Sequence, residues 1–233
     1  MIYLTGDTHA HLDIEKLNIG NFPQQKELTK DDYLIICGDF GLCWDGSARE
    51  NWWLGWFSQR PFTTLWIDGN HENFDMLYEL PTMQKFGGTV RQIVPDVYHI
   101  PRGQVLTLDG KRIFFMGGAR SVDKHLRQEH ISWWPQEMPT PQEMESAVCT
   151  LEQYNWKVDY VVTHCAPRSV QLLLSPYYEN DPMVSFLERV RQDLAFRRWF
   201  FGHYHVDKVV NEQFVALYQN VIPLEVLLNA NGL

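Results

Sequence analysis

Five short sequence blocks contain residue types that bind divalent metal ions, and each block follows an apolar run. The side chains are carboxylates, imidazoles and one amide, a donor set that suits Mn, Fe, Zn, Ni or Mg. The candidate ligands are Asp7, His9, Asp39, Asn70, His164, His203 and His205. This set is too large for one tetrahedral ion and fits two ions that share a carboxylate.

Spacing within the blocks supports one common site. Asp7 and His9, like His203 and His205, are two residues apart. In an extended segment both members of each pair would point the same way. Glycines precede several of the candidate ligands, and glycine permits a sharp turn or a close approach of the backbone.

The blocks follow predicted strands that are short, rich in branched and aromatic residues, and bounded by Gly or Asp. These strands are Ile2 to Thr5, Tyr33 to Cys37, Thr63 to Ile67, Tyr160 to Thr163 and Arg198 to Phe201. In an open α/β sheet the carboxyl ends of the strands form the ligand crevice. We therefore expect these strands to bring the candidate ligands to one edge.

The remaining elements suggest one domain over residues 1–233, since the chain has no repeat or linker-like tract. Helical spacing between the early strands predicts βαβ units and a largely parallel sheet. Asp109-Gly110 joins two apolar runs and predicts a hairpin. Helices are predicted at Ser47 to Gln59, Asn73 to Leu80, Pro141 to Tyr154 and Pro182 to Ala195, hairpin strands at Val105 to Leu108 and Arg112 to Met116, and two strands within Phe214 to Leu228.

The composition is that of a globular protein, with 45% hydrophobic and 21% charged residues. No apolar run approaches the roughly 18 to 20 residues that cross a bilayer. The first residues do not resemble a signal peptide, so we expect a cytoplasmic protein without a membrane partner. The net charge of −9 argues against a long nucleic-acid duplex as partner. Protein partners stay open.

The ordered set Asp-x-His, Gly-Asp, Gly-Asn-His-Glu, His and Gly-His-x-His resembles the calcineurin-like metallophosphoesterase superfamily. The resemblance covers Asp7 to His205, and all five blocks occur in order. It implies an α/β fold in which two mixed β-sheets pack as a sandwich flanked by helices (α/β/β/α). It also implies a metal-dependent phosphoric ester hydrolase.

The resemblance assigns a role to each matching residue. Asp7, His9 and His205 correspond to the ligands of one metal, Asn70, His164 and His203 to those of a second, and Asp39 to the carboxylate that bridges them. His71 is similar to the non-ligand histidine that contacts the phosphate and assists the leaving group. Glu72 stands beside it and is expected to orient it.

Elementary chemistry supports these roles. A water that bridges two dications has its pKa lowered toward neutrality and becomes a hydroxide nucleophile for in-line attack. Two dications, two carboxylates and this hydroxide give a net charge of about +1, which attracts a phosphate that the metal-free site would repel. We expect two metal ions, with Mn²⁺ first, and a phosphomonoester or phosphodiester of a small metabolite or nucleotide as substrate.

The second block reads Gly-Asp-Phe-Gly-Leu-Cys and lacks the arginine that protein Ser/Thr phosphatases have there, which disfavours a protein phosphatase. Cations that follow the hairpin are candidates to replace it, because a guanidinium forks onto phosphate oxygens. The candidate substrate-binding residues are Arg120, Lys124, Arg127 and Arg168, with Trp133 and Trp134 to stack a base or sugar.

Two alternatives stay open. One is a nuclease of the same superfamily, against which the acidic surface argues. The other is a non-catalytic scaffold that uses the fold to bind proteins. A scaffold is expected to lose His71 or several ligands, and this chain has them all.

Overall fold

Branched and aromatic runs separated by turn residues form thirteen strands within residues 1–225, the part of the chain that the computed structural model describes. The strands are β1 Ile2–Thr5, β2 Tyr33–Ile36, β3 Thr63–Trp66, β4 Thr82–Lys85, β5 Gly88–Val94, β6 Val97–His99, β7 Gln104–Leu108, β8 Lys111–Met116, β9 Tyr160–Thr163, β10 Arg198–Phe201, β11 Lys208–Val209, β12 Phe214–Ala216 and β13 Ile222–Pro223. The α-helices are α1 Ala48–Ser58, α2 Phe74–Glu79, α3 Pro141–Gln153, α4 Arg168–Leu174 and α5 Pro182–Asp193. Short 3₁₀ turns lie at Ile14–Leu17, Pro23–Glu27, Lys124–Leu126 and Pro135–Glu137.

The strands form two mixed sheets. The first has the order β13-β1-β2-β3-β6-β5-β4, with β1, β2, β3 and β6 parallel. The second has the order β11-β12-β10-β9-β8-β7, with β8, β9, β10 and β12 parallel. Antiparallel strands lie at the edges of both sheets. The predicted fold of two mixed sheets with flanking helices is confirmed.

A continuous apolar core holds the two sheets together. Leu4 and Leu65 of the first sheet belong to the same buried cluster as Phe115, Val162 and Phe200 of the second. All five side chains are fully buried, and burial of this kind contributes about 1.5–3 kcal/mol for each large apolar side chain. The core therefore fixes the position of one set of strand ends relative to the other.

Helices cover the outer faces. Phe57 of α1 packs edge-on against Phe40, with ring centroids 5.0 Å apart, and belongs to the core cluster of the first sheet. Leu151 of α3 and Phe186 of α5 belong to the cluster that covers the second sheet. As predicted, Asn73 caps α2, because its side chain accepts a hydrogen bond from the backbone N–H of Met76.

The structure corrects the expectation of one sheet edge. The strands that precede the ligand blocks match their predicted bounds to one residue, but β1 to β3 lie in the first sheet and β9 and β10 in the second. The carboxyl ends of two sheets, and not of one, therefore form the crevice.

The elements β4 to β6, β11 and α4 were not predicted. The residues of β4 are mostly exposed, so the run lacks a buried apolar pattern. In the C-terminal region two strands are present, β12 and β13, and residues 226–228 of the predicted range lie outside the described part. None of the helices within residues 1–225 is long and apolar enough to cross a bilayer.

Candidate metal centre

The carboxyl ends of β1, β2, β3, β9 and β10 bring the predicted ligands together. Oδ1 of Asp39 lies 3.4 Å from Nε2 of His164, and its Oδ2 lies 3.3 Å from Nε2 of His9. Oδ2 of Asp7 lies 3.1 Å from Nε2 of His205. Groups from positions 7 to 205 of the chain thus share one small volume.

Asn70 and His203 complete the set. Oδ1 of Asn70 lies 3.2 Å from Nε2 of His164. The imidazole rings of His164 and His203 are 5.0 Å apart between centroids. The backbone N–H of His203 donates to the Asp7 carboxylate at 3.1 Å. The structure therefore places all the candidate metal ligands at one site.

The local backbone differs from the extended segments that the spacing suggested. His9, Asp39, His203 and His205 have positive φ values between 42° and 68°, a region that residues other than glycine seldom adopt. Four of the seven candidate ligands thus have a left-handed backbone conformation in the segments that follow their strands. Such conformations cost about 1–3 kcal/mol each and cluster at functional sites.

Two glycines allow the ligand loops to approach each other. A Cβ atom on Gly69 would lie 2.0 Å from Oδ1 of Asp39, and one on Gly202 would lie 2.2 Å from Oδ1 of Asp7. Neither carboxylate can move aside, because both are buried. Glycine is required here by close approach, which explains its place before Asn70 and His203.

Protonated histidines balance the negative charge of the carboxylates in this cluster. Burial opposes charge on His164, but the Asp39 and Asp7 carboxylates raise its pKa to about 10. Burial also opposes charge on His9, and the carboxylates around it raise its pKa to about 9. Burial disfavours the Asp39 anion, yet the neighbouring imidazoles hold the pKa of Asp39 well below its usual value. Positive charge is thus favoured where the ligands converge.

The geometry fits divalent metal ions. One potential ligand atom from each of Asp7, His9 and His205 lies within 4.8 Å of the others, and the same holds for His9, Asp39 and His71. Carboxylate and imidazole donors at these separations match the chemistry of borderline and hard cations.

Asp13, which was not predicted, supports two of the candidate ligands. Its Oδ2 lies 2.6 Å from Nδ1 of His9, and its Oδ1 accepts a hydrogen bond from the Tyr218 hydroxyl at 3.0 Å. The Tyr218 ring stacks on His205 with centroids 4.7 Å apart. A carboxylate on the far nitrogen of a ligand histidine fixes its tautomer and orientation. The signal in the sequence is its position four residues after His9.

A second supporting chain orients Asn70. Its Nδ2 donates to Oγ of Ser121 at 3.2 Å, which directs Oδ1 toward His164. The Ser121 hydroxyl in turn donates to Oε2 of Glu137 at 2.5 Å. All three side chains are buried. Neither Ser121 nor Glu137 was predicted, because no spacing rule links them to Asn70.

Arg127 is the predicted substrate-binding cation that enters the site. Its Nη1 lies 3.0 Å from Nδ1 of His71, and its Nη2 lies 3.4 Å from Nε2 of the same ring. Asp123 accepts two hydrogen bonds from the guanidinium, both at 2.8 Å, and the Ser132 carbonyl accepts a third at 3.1 Å. Burial and this guanidinium lower the pKa of His71, although the Asp39 carboxylate opposes the shift.

Glu72 lies elsewhere than its predicted role requires. Its buried carboxylate accepts the backbone N–H groups of Phe40 at 2.9 Å, and of Gly41 and Gly69 at 3.3 Å. It therefore joins the Asp39 loop to the Asn70 loop, whereas the guanidinium of Arg127 lies 3.0 Å from the His71 imidazole. Burial raises the pKa of Glu72 well above its usual value, and the nearby Asp39 carboxylate adds to the shift.

The other substrate-binding candidates lie at varied places. Arg120 is exposed and pairs with Glu179 at 3.0 Å. Nζ of Lys124 lies 3.9 Å from the centre of the Trp133 ring, and Arg168 is exposed at the start of α4.

Trp134 is only 2% exposed and belongs to the core of the first sheet. Its indole N–H donates to Asp75 at 2.7 Å. Trp134 is thus a core residue, and its predicted role in stacking a base or sugar is wrong.

Comparison with known proteins agrees with this geometry. A family model described as calcineurin-like phosphoesterase matches residues 1–207. Three curated relatives are lariat debranching enzymes. The enzyme of Danio rerio is 26% identical, and the match covers 94% of this chain and 41% of that enzyme. The enzyme of Homo sapiens is 29% identical, and the match covers 69% of this chain and 30% of that enzyme. The enzyme of Schizosaccharomyces pombe is 25% identical, and the match covers 77% of this chain and 44% of that enzyme. The chain spans less than half the length of these relatives.

A solved structure supports the fold. The protein TT1561 of Thermus thermophilus superposes with a TM-score of 0.50 at 10% sequence identity, over 94% of this chain and 89% of that one. At this identity the match concerns the arrangement of strands and helices alone.

Proposed function

The chain belongs to the calcineurin-like phosphoesterase family, and we propose that it hydrolyses a phosphodiester or phosphomonoester of a nucleotide or small metabolite at a two-metal centre. The observation that carries the proposal is the convergence of seven oxygen and imidazole ligands next to Arg127 and His71. A metal-dependent phosphoester hydrolase is the enzyme class of the family.

The ligands divide into two groups around one carboxylate. Asp7, His9 and His205 would hold one ion, Asn70, His164 and His203 the other, and Asp39 both. When bound, two divalent cations would supply charge neutralisation and an activated water. We propose Mn²⁺ for both positions.

The protein's own groups act on the ester. Arg127 is held in place by Asp123, so the Nη1 and Nη2 N–H groups that face His71 would bind a non-bridging phosphate oxygen with little loss of freedom. His71 would donate a proton to the departing oxygen. Burial and Arg127 lower its pKa, so the ring is mainly neutral at pH 7 until the negative charge of a bound phosphate favours its protonated form. The contact between the two side chains places the anion and the leaving group side by side.

A phosphodiester is the favoured substrate. The curated relatives are named for debranching lariats, and cutting a branch in a nucleic acid means hydrolysing a phosphodiester. The second block of this chain lacks the arginine that the resemblance associates with protein phosphatases. A net charge of −9 favours a small substrate over a long duplex, because phosphate contacts dominate affinity for nucleic acid.

The decisive test is hydrolysis by Mn²⁺-loaded protein. We expect turnover of bis-p-nitrophenyl phosphate above that of p-nitrophenyl phosphate, and loss of both activities after chelation. His71→Ala should lower kcat by about 10²-fold or more while elemental analysis still finds bound metal. Absence of hydrolysis of either ester and of a nucleotide panel would overturn the proposal, and unchanged activity in the His71 variant would refute the role of that residue.

A nuclease is the second candidate, and the lariat-debranching relatives are the observation that favours it. Incubation with labelled single-stranded, branched and duplex oligonucleotides and Mn²⁺, followed by gel separation, distinguishes the two. Cleavage of the oligonucleotides at rates above those for free nucleotides would establish the nuclease.

A further inference from the structure

A cavity of about 290 Å³ opens beside the candidate metal ligand His203 and has aromatic walls. Tyr177, Tyr178 and Tyr204 contribute to its lining, and Arg120 lies at its border. Cavities that hold whole small ligands measure about 300–1,000 Å³. This volume is therefore suited to one ring system attached to a group bound at the metal centre.

Tyr204 is a fixed part of the cavity wall next to the candidate metal ligand His203. Its hydroxyl donates to Oε1 of Gln171 at 3.0 Å and accepts the backbone N–H of Ala166 at 3.1 Å. Gln171 is only 3% exposed, so this anchor is itself held in the core. The Tyr204 ring lies 5.1 Å from that of His203 between centroids. A group on Tyr204 is thus within one ring's distance of a candidate ligand.

Tyr178 supplies a second aromatic surface that is open to solvent. Its ring packs edge-on against Tyr204, with centroids 4.9 Å apart and an angle of 64° between planes. Tyr178 is 37% exposed, whereas Tyr177 is 90% exposed. The ring of Tyr178 is therefore positioned by one neighbour and still accessible to a ligand.

The border of the cavity carries a loose ion pair. Nη1 of Arg120 lies 3.0 Å from Oε2 of Glu179, and the side chains are 50% and 76% exposed. An ion pair this exposed contributes little stability, so a ligand can replace it at small cost. The cavity mouth offers both a hydrogen-bond donor and an acceptor to the edge of a flat polar ring.

We propose that this cavity is a nucleobase subsite, in which one base of the substrate stacks on Tyr178 next to Tyr204 while its phosphate is bound at the metal centre. The inference rests on the proposed function. Aromatic side chains bind bases through their ring faces with little dependence on sequence, and a base carries both donors and acceptors on its edge. A larger cavity of about 920 Å³ shares Arg120 and Asp181 with this one, but its lining contains none of the candidate metal ligands.

The test compares two esters with the same leaving group, thymidine 5′-(p-nitrophenyl phosphate) and methyl p-nitrophenyl phosphate. With Mn²⁺-loaded protein we expect kcat/KM to be about tenfold or more higher for the thymidine ester, as stacking of one base predicts. Tyr178→Ala should reduce this preference to within about twofold and leave hydrolysis of the methyl ester unchanged. Tyr178→Phe keeps the ring and should keep the preference.

Tyr78→Ala is the matched control. Tyr78 is 41% exposed, close to the value for Tyr178, and lies on α2 against Phe74. This variant should retain the full preference for the thymidine ester. Hydrolysis of neither ester would overturn the proposed function. Hydrolysis of both with equal kcat/KM, or a preference that survives in Tyr178→Ala, would overturn the subsite alone.

Discussion

Nη1 of Arg127 lies 3.0 Å from Nδ1 of His71, although 56 residues separate them along the chain. The guanidinium reaches this position because Asp123 and the Ser132 carbonyl hold it from behind. The second block carries no arginine next to Asp39. A cation from the loop after β8 thus reaches the face of the site where a phosphate-binding group is needed.

Arg127→Ala should lower kcat/KM by about 10²–10³-fold, as removal of one preorganised donor does in other enzymes. Arg127→Lys keeps the positive charge but loses the two-pronged hydrogen bonding of the guanidinium, so its activity should lie between those of the wild type and Arg127→Ala. Steady-state hydrolysis of bis-p-nitrophenyl phosphate measures both. Arg197→Ala is the control. The Arg197 side chain is 64% exposed, its Nε lies 3.9 Å from Oδ1 of Asp159, and the residue precedes β10, at the opposite end of the strand from the ligands. Equal activity of Arg127→Ala and Arg197→Ala would contradict the assignment.

Asp13→Asn should weaken metal binding by about 10–100-fold, because it removes the carboxylate that orients His9. The expected change is confined to affinity, since Asn retains the size of the side chain and a carbonyl oxygen for the Tyr218 hydroxyl. Titration with Mn²⁺ monitored by calorimetry measures it. Asp31→Asn, an exposed carboxylate on a loop, serves as the control. A variant with wild-type affinity would show that Asp13 does not support the ligand.

The ligands could be predicted from the sequence because each directly follows a strand with a strong apolar pattern. Asp39 and His164 are 125 positions apart (164 − 39), yet the strand pattern alone indicated that both lie at carboxyl ends. The extended conformation that the spacing suggested for the Asp7/His9 and His203/His205 pairs was wrong, because His9, His203 and His205 have positive φ values. Dihedral angles of single residues cannot be read from spacing.

The supporting groups could not be predicted, because loops position them. Glu137 lies in a proline-rich stretch, 67 positions after Asn70 (137 − 70), and acts through Ser121. The same stretch contains Arg127 in the site and Trp134 in the core. Composition showed that this stretch carries cations and tryptophans, but which of them faces the ligands depends on tertiary contacts.

Arg102→Met should destabilise the fold by about 3–5 kcal/mol, the usual cost of leaving one partner of a buried ion pair alone. Nη2 of Arg102 lies 2.7 Å from Oδ2 of Asp68, with both side chains at most 3% exposed. Urea denaturation measures the difference, and Arg112→Met at an exposed position is the control. A loss below about 1 kcal/mol, the scale of a surface ion pair, would contradict the prediction.

The same pair predicts a dependence on pH. Burial disfavours the Asp68 anion, but Arg102 and His99 lower its pKa to about 2. Because the folded-state pKa lies below the unfolded value of about 3.9, the stabilisation is fully present above about pH 4 and is lost as the pH falls toward 2. The difference in unfolding free energy between the wild type and Arg102→Met should therefore shrink over that interval. A difference that stays constant down to pH 2 would show that Asp68 does not carry it.

Metal binding should release protons, because His9 and His164 must be neutral to act as ligands. In the metal-free protein the surrounding carboxylates raise their pKa values to about 9 and about 10, so both imidazoles are protonated at pH 7. Filling the site should release about two protons, and the affinity for Mn²⁺ should rise by up to about 100-fold per pH unit between pH 6 and 8. Calorimetric titration in buffers of different ionisation enthalpy measures the number directly, since each released proton adds the buffer's heat to that of binding. Heats that do not depend on the buffer, or an affinity that does not rise with pH, would mean that these histidines are not protonated before the metal binds. The Asp39 carboxylate would then affect their pKa values less than its distances of 3.3 Å from Nε2 of His9 and 3.4 Å from Nε2 of His164 indicate.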